Sequence, residues 1–208
     1  LGIGSKVDSA VPVDVPALTS DVIAIDAAGY NTCALTAGGG VKCWGYGTYG
    51  QLGNGSSAAS NVPVQVAVIT AANAATRATQ VASGANHACA LLDNNNVKCW
   101  GVNNFRQLGT PTNTVPFSST PVDVPNLTNN LDQLASMADH TCGVHTIGDV
   151  SCWGANSYGQ LGDGTVAPFK GAVSVTGLGT EARQVSTGVQ HTCALIKGFF
   201  GFTLARVC

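Results

Sequence analysis

Trp44-Gly45-Tyr46-Gly47-Thr48-Tyr49-Gly50-Gln51-Leu52-Gly53 decides how this chain is read, because the stretch returns twice. It returns as Trp100-Gly101-Val102-Asn103-Asn104-Phe105-Arg106-Gln107-Leu108-Gly109 and as Trp153-Gly154-Ala155-Asn156-Ser157-Tyr158-Gly159-Gln160-Leu161-Gly162. The tryptophans stand 56 and 53 residues apart. A recurrence at this period marks a repeat architecture, in which each unit buries its apolar face on a neighbour. Residues 1–208 therefore read as one array, with repeats at about 1–51, 52–107, 108–160 and 161–208.

Immediately before each Trp lies a hairpin. In the first repeat its strands are Thr32-Cys33-Ala34-Leu35 and Val41-Lys42-Cys43-Trp44. Placing Cys33 opposite Cys43 also places Leu35 opposite Val41, around a Gly-rich turn. The same register pairs Leu91 with Val97 and Val144 with Val150, with turn chemistry between them. Directly opposed residues of an antiparallel pair lie within disulfide reach. Eight cysteines, six of them in pairs ten apart, indicate disulfides and an oxidising compartment. The expected bonds are Cys33–Cys43, Cys89–Cys99, Cys142–Cys152 and Cys193–Cys208. The last pair is 15 residues apart, with Lys197-Gly198-Phe199-Phe200-Gly201-Phe202 between, so its register is open.

Two more strands fill each repeat. A Pro-Val-x-Val stretch opens it: Pro12-Val13-Asp14-Val15, Pro63-Val64-Gln65-Val66 and Pro121-Val122-Asp123-Val124, with Ala172-Val173-Ser174-Val175 in the fourth. Alternating Val has the period of a strand, and Pro is tolerated at a strand's first residue. Val22-Ile23-Ala24-Ile25, Gln80-Val81-Ala82, the stretch from Leu131 to Met137, and Gln184-Val185-Ser186 follow as the next strand. Four strands per period with Gly and aromatic punctuation is the cue for an all-β fold, a β-propeller of four-stranded blades.

The motifs Gly188-Val189-Gln190-His191-Thr192-Cys193-Ala194-Leu195 and Val150 to Gly164 resemble those of the regulator of chromosome condensation repeat family. The resemblance covers nearly the whole chain. It implies a propeller that typically has seven blades, and the paired cysteines look like its secreted bacterial branch. Departures are Asn31, where other repeats have His87, His140 and His191, and Arg106, where others have Gly50 and Gly159. At the family's blade angle, about 51°, four blades make an arc of about 200° rather than a ring. The expectation is a piece of a seven-bladed propeller, with neighbouring repeats covering its two open faces.

Composition excludes several function classes. Nine Lys and Arg are scattered, which argues against a nucleic-acid partner. No apolar run is long enough to span a membrane. No nucleophile–base–acid set, phosphate loop or calcium loop is visible, so neither an enzyme nor a cofactor is expected. His87, Cys89 and Cys99 share a strand face, but zinc needs four ligands and the first repeat offers Asn31 instead of His. Trp44, Trp100 and Trp153 recur at one position and read as core, as do Tyr49, Phe105 and Tyr158. His145, opposite Asp149, reads as a solvated cross-strand pair.

Features present once are free to serve a ligand. Tyr46, Arg106, Phe117 and Phe169 stand on segments that change between repeats and are the candidate partner-binding residues. The functional expectation is an extracellular or cell-surface scaffold that binds another protein through variable loops. The alternatives are an inhibitor of a secreted enzyme, a guanine-nucleotide-exchange-type regulator by resemblance, and, least supported, a carbohydrate-active enzyme.

Overall fold

The structure, a computed structural model, describes residues 1–207 other than 19, 113, 128, 129, 180 and 198–202. Among these, fifteen strands form four antiparallel sheets. The first holds β1 (Val22–Ala28), β2 (Asn31–Thr36), β3 (Val41–Gly45) and β4 (Ser60–Gln65). The second holds β5 (Ala78–Ser83), β6 (His87–Leu92), β7 (Val97–Val102) and β8 (Phe117–Asp123). The third holds β9 (Leu131–Met137), β10 (His140–His145), β11 (Val150–Ala155) and β12 (Phe169–Ser174). The fourth holds β13 (Ala182–Thr187), β14 (Thr192–Lys197) and β15 (Thr203–Val207).

Each sheet is a meander, and packing runs in series from first to second, second to third and third to fourth. The strands β1, β5, β9 and β13 line one shared cavity. These are propeller blades around an axis, as the repeat pattern predicts. The first three hairpins keep the expected register, with Cys33 opposite Cys43, Cys89 opposite Cys99 and Cys142 opposite Cys152. All three pairs are disulfide-bonded within their blade. Cys193 stands opposite Val207. Its expected partner Cys208 and the segment Phe199-Phe200-Gly201-Phe202 lie outside the described residues.

One expectation is corrected. The Pro-Val-x-Val stretch is not the first strand of its own blade but the outer strand of the blade before it. β4 pairs with β3, β8 with β7 and β12 with β11. After each Trp-Gly the chain folds back on itself and returns to the edge of the sheet it has just left. Sequence repeat and structural blade are therefore one strand out of phase. Residues 12–15, the first copy of the stretch, form no strand at all.

The core consists of three layers, one between each pair of adjacent blades. In the first layer Leu35, Val41 and the Cys33–Cys43 disulfide meet Ala88, Ala90, Leu92 and Trp100 of the next blade. Leu91, Val97 and Cys89–Cys99 meet Leu131, Leu134 and Trp153 in the second. Val144, Val150 and Cys142–Cys152 meet Ala182, Val185, Ala194 and Ile196 in the third. Each of these three disulfides thus sits inside an interblade core, where its sulfurs pack as small apolar groups.

Candidate functional site

The recurring ten-residue stretch is a clasp between blades. The indole Nε1 of Trp100 donates to the carbonyl of Gln51, at 3.0 Å, and that of Trp153 donates to the carbonyl of Gln107, at 3.0 Å. Both indoles are fully buried (0% exposed), so an unpaired N–H would be costly there. The Gln side chain works in two directions. Its Oε1 accepts the backbone N–H two residues earlier, as Tyr49 to Gln51 at 2.8 Å and Phe105 to Gln107 at 2.9 Å. Its Nε2 donates into the next blade, from Gln51 to Asn86 and from Gln107 to Asp139. A Cβ added to Gly53 would lie 2.8 Å from the Trp100 ring, so this position holds Gly. The scaffold reading of the three tryptophans is confirmed.

The other aromatics of the stretch behave differently. Tyr49, Phe105 and Tyr158, expected in the core, are exposed; Tyr158 reaches 67%. The reason is geometric. The Gln Oε1 bond closes a tight turn whose backbone faces inward, and the side chain two residues before Gln is left pointing away. Because the three occupy equivalent positions on successive blades, they form a row along one rim of the propeller. Tyr46 extends the row in the first blade, edge-on to Tyr49 and to Tyr30, with ring centroids 6.4 Å apart in each case. Tyr30, on the β1–β2 turn, was not singled out in the sequence. Its signal was available: the equivalent residues are Asn86, Asp139 and Gln190, so an aromatic there is singular. A hollow of about 450 Å3, lined by Leu1, Lys6, Trp44, Tyr46 and Ser60, opens beside this trio.

The structure divides the four sequence-nominated residues into three places. Tyr46 joins the aromatic trio. Arg106 carries its guanidinium over the Phe169 ring, 5.2 Å from the centroid, so these two meet each other. Arg106 also holds φ at 61°, in the left-handed region that its glycine equivalents Gly50 and Gly159 occupy at 75° and 76°. Phe117 and Phe169 are the first residues of β8 and β12 rather than loop residues, and both are half-buried.

The buried histidines also tie blades together. His87 Nε2 lies 2.8 Å from Thr141 Oγ1, and His140 Nε2 lies 2.9 Å from Thr192 Oγ1. Thr192 donates its own proton to the Gln160 carbonyl, at 2.7 Å. Its hydroxyl therefore accepts from His140, which fixes the Nε2–H tautomer. Burial holds His87 down to about 3, with His140 adding to the effect, and holds His140 down to about 4, with His191 adding. These rings are neutral struts. His145 is likewise buried and bonded to Ser151 Oγ at 2.8 Å, which corrects the solvated position expected for it.

The axial cavity has a volume of about 410 Å3. Asp26 is the one ionisable side chain among its described lining residues. Its carboxylate accepts the Ser83 N–H at 2.5 Å, which joins the first blade to the second. Burial raises its pKa against the lowering effect of the Ser83 and Ala27 N–H groups. A single carboxylate engaged in a structural bond offers no acid–base pair at this place.

Two profiles described as the Regulator of chromosome condensation (RCC1) repeat match the chain. One covers residues 39–91 and 148–195; the other covers 22–51, 78–107 and 135–160. The human probable E3 ubiquitin-protein ligase HERC4 is 30% identical over 201 residues, 93% of this chain but 18% of HERC4. Human E3 ubiquitin-protein ligase HERC2 is 31% identical over 169 residues, 78% of this chain and 3% of HERC2. Among solved structures, Prp20p of Saccharomyces cerevisiae, described with its binding to Gsp1p and histones, superposes with a TM-score of 0.73 at 25% identity. The match covers 88% of this chain and 44% of Prp20p. Human WBSCR16 superposes at 0.70 with 20% identity, over 84% of this chain and 45% of its own, a likeness of fold alone. The chain thus spans less than half the length of each of these proteins. No helix among the described residues is long and apolar enough to cross a membrane.

Proposed function

The chain belongs to the regulator of chromosome condensation repeat family, and from that premise we propose that it is a protein-binding scaffold whose contact surface is the aromatic rim. One observation carries the reading. Tyr49, Phe105 and Tyr158 are held at equivalent places on successive blades, exposed, by turns that the buried Gln and Trp make rigid. Aromatic side chains on a preorganised backbone bury large area at small entropic cost, which is what a protein interface uses for its anchors. Tyr30 and Tyr46 concentrate the rim in the first blade, and the Arg106–Phe169 pair adds a cationic point one blade further on. Prp20p, by its description, binds Gsp1p and histones, so a protein partner is in keeping with a relative of this fold.

The three disulfides favour work in an oxidising compartment, at the cell surface or outside it. That setting in turn disfavours guanine-nucleotide exchange on a cytosolic or nuclear GTPase. The test is capture of partners from the native extracellular milieu with the chain and with a Tyr30→Ser/Tyr46→Ser/Tyr49→Ser variant. The reading requires a protein captured by the former and lost by the latter at unchanged melting temperature. Equal capture by both would remove the rim from the interface, and selective retention of glycans on an array would replace the protein partner by a carbohydrate one.

A further inference from the structure

Arg106 departs from the repeat in a way that the clasp does not require. Its equivalents in the flanking blades are Gly50 and Gly159, and all three residues hold a positive φ, Arg106 at 61°. That region disfavours any residue with a Cβ, so the turn would close at least as well on glycine. The second blade thus carries an arginine against the preference of its own backbone. Side chains kept at such places are found where a contact uses them.

The guanidinium is also placed away from the clasp. Gln107, the next residue, sends its Nε2 to Asp139 on the turn between β9 and β10, at the inner edge of the third blade. Arg106 reaches the opposite edge of the same blade, over the ring of Phe169 at the start of β12. Phe105, beside Arg106 in the chain, is 43% exposed. Lys170 follows Phe169 and is bonded to the Asp163 carboxylate. Two cations, Arg106 and Lys170, therefore share this outer edge with one carboxylate, Asp163, next to an exposed aromatic ring.

We propose that Arg106, with Phe105 and Phe169, is the anion anchor of the rim and takes a carboxylate from an acidic peptide segment of the partner, with an apolar residue beside the acid. The inference rests on the rim being the contact surface. Phe169 holds the guanidinium on its face, so less freedom is lost when a ligand arrives. An arginine has five N–H donors, enough to pair with both oxygens of a carboxylate beside a contact within its own chain. Phe105 covers the apolar neighbour of the acid and keeps water from the pair, which strengthens it. An excess of one cation suits one carboxylate, whereas a nucleic acid would call for a row of cations.

Selection of a phage-displayed library of random peptides on the chain tests this. The expected result is enrichment of peptides that carry Asp or Glu next to an aromatic or aliphatic residue. Their affinity, read by fluorescence anisotropy, should fall about tenfold or more on Arg106→Gly. The melting temperature of that variant should be unchanged or higher, because glycine suits the turn. Arg106→Lys keeps the charge, loses the planar fork and should recover only part of the affinity. Enriched peptides without an acid, or acidic peptides that bind Arg106→Gly as well as the unaltered chain, overturn the proposal and leave the aromatic rim as the contact surface. A library that yields no binder overturns it too, and capture with the Tyr30→Ser/Tyr46→Ser/Tyr49→Ser variant then decides the rim separately.

Discussion

His87 Nε2 and Thr141 Oγ1 meet at 2.8 Å across the boundary between the second and third blades, inside the protein. Burial keeps both rings neutral, holding the pKa of His87 down to about 3 and that of His140 down to about 4. Both folded values lie below the ordinary 6.5, so the unfolded chain binds protons first as pH falls. Their contribution to stability is complete above about pH 6.5 and drains away between there and pH 3–4. Melting temperature should hold steady from pH 8 to 7 and fall through that lower window. His140→Gln should flatten the fall, and an identical acid slope in that variant would assign the effect to other groups.

The first boundary lacks this strut. Asn31 stands where the histidine would be, and Ala88 where the threonine would be. Both polar atoms of the Asn31 amide are buried without a hydrogen-bond partner. Restoring the pair as Asn31→His with Ala88→Thr should couple the two substitutions by about 1 kcal/mol, measured as a double-mutant cycle in denaturant. Asn31→Leu, which removes the unsatisfied amide, should be neutral or stabilising. Strong destabilisation by that change would mean that the amide has a partner in solution.

Trp100 and Tyr158 separate the scaffold from the surface. Trp100→Ala empties a fully buried site and orphans nothing else than the Gln51 carbonyl, at an expected cost of about 3–5 kcal/mol. Tyr158→Ala should change stability by less than about 0.5 kcal/mol. Trp100→Phe should fall between, because it keeps most of the ring and loses the hydrogen bond. Chemical denaturation of the three variants decides the order.

Each hairpin disulfide closes a short loop. The chain-entropy model gives about 2–3 kcal/mol for each, less if the hairpin persists in the unfolded state. Cys89→Ala/Cys99→Ala should cost that amount plus the packing lost where the sulfurs fill the second interblade core. Mass spectrometry after alkylation without reductant should find Cys33–Cys43, Cys89–Cys99 and Cys142–Cys152 as the intact pairs, and bonds between blades would contradict the register.

The sequence by itself determined the repeat, the hairpin registers, the three disulfides and the burial of the tryptophans. All of these are local: a hairpin's register follows from two strands and the turn between them, and ten residues suffice to state it. It did not determine which sheet the Pro-Val-x-Val strand joins. That depends on where the chain returns after a linker of more than a dozen residues, and period-two alternation looks the same on either edge. Nor did it separate Trp100 from Phe105, which share one motif. Only the packed structure shows that the Gln side chain folds the turn so that the indole points into the boundary and the next aromatic points out. Tyr30 and Tyr46, sixteen residues apart in the chain, meet because β2 and β3 bring their ends together. The exposed rim is therefore a property of tertiary placement, whereas the clasp that holds it was already written in the repeat.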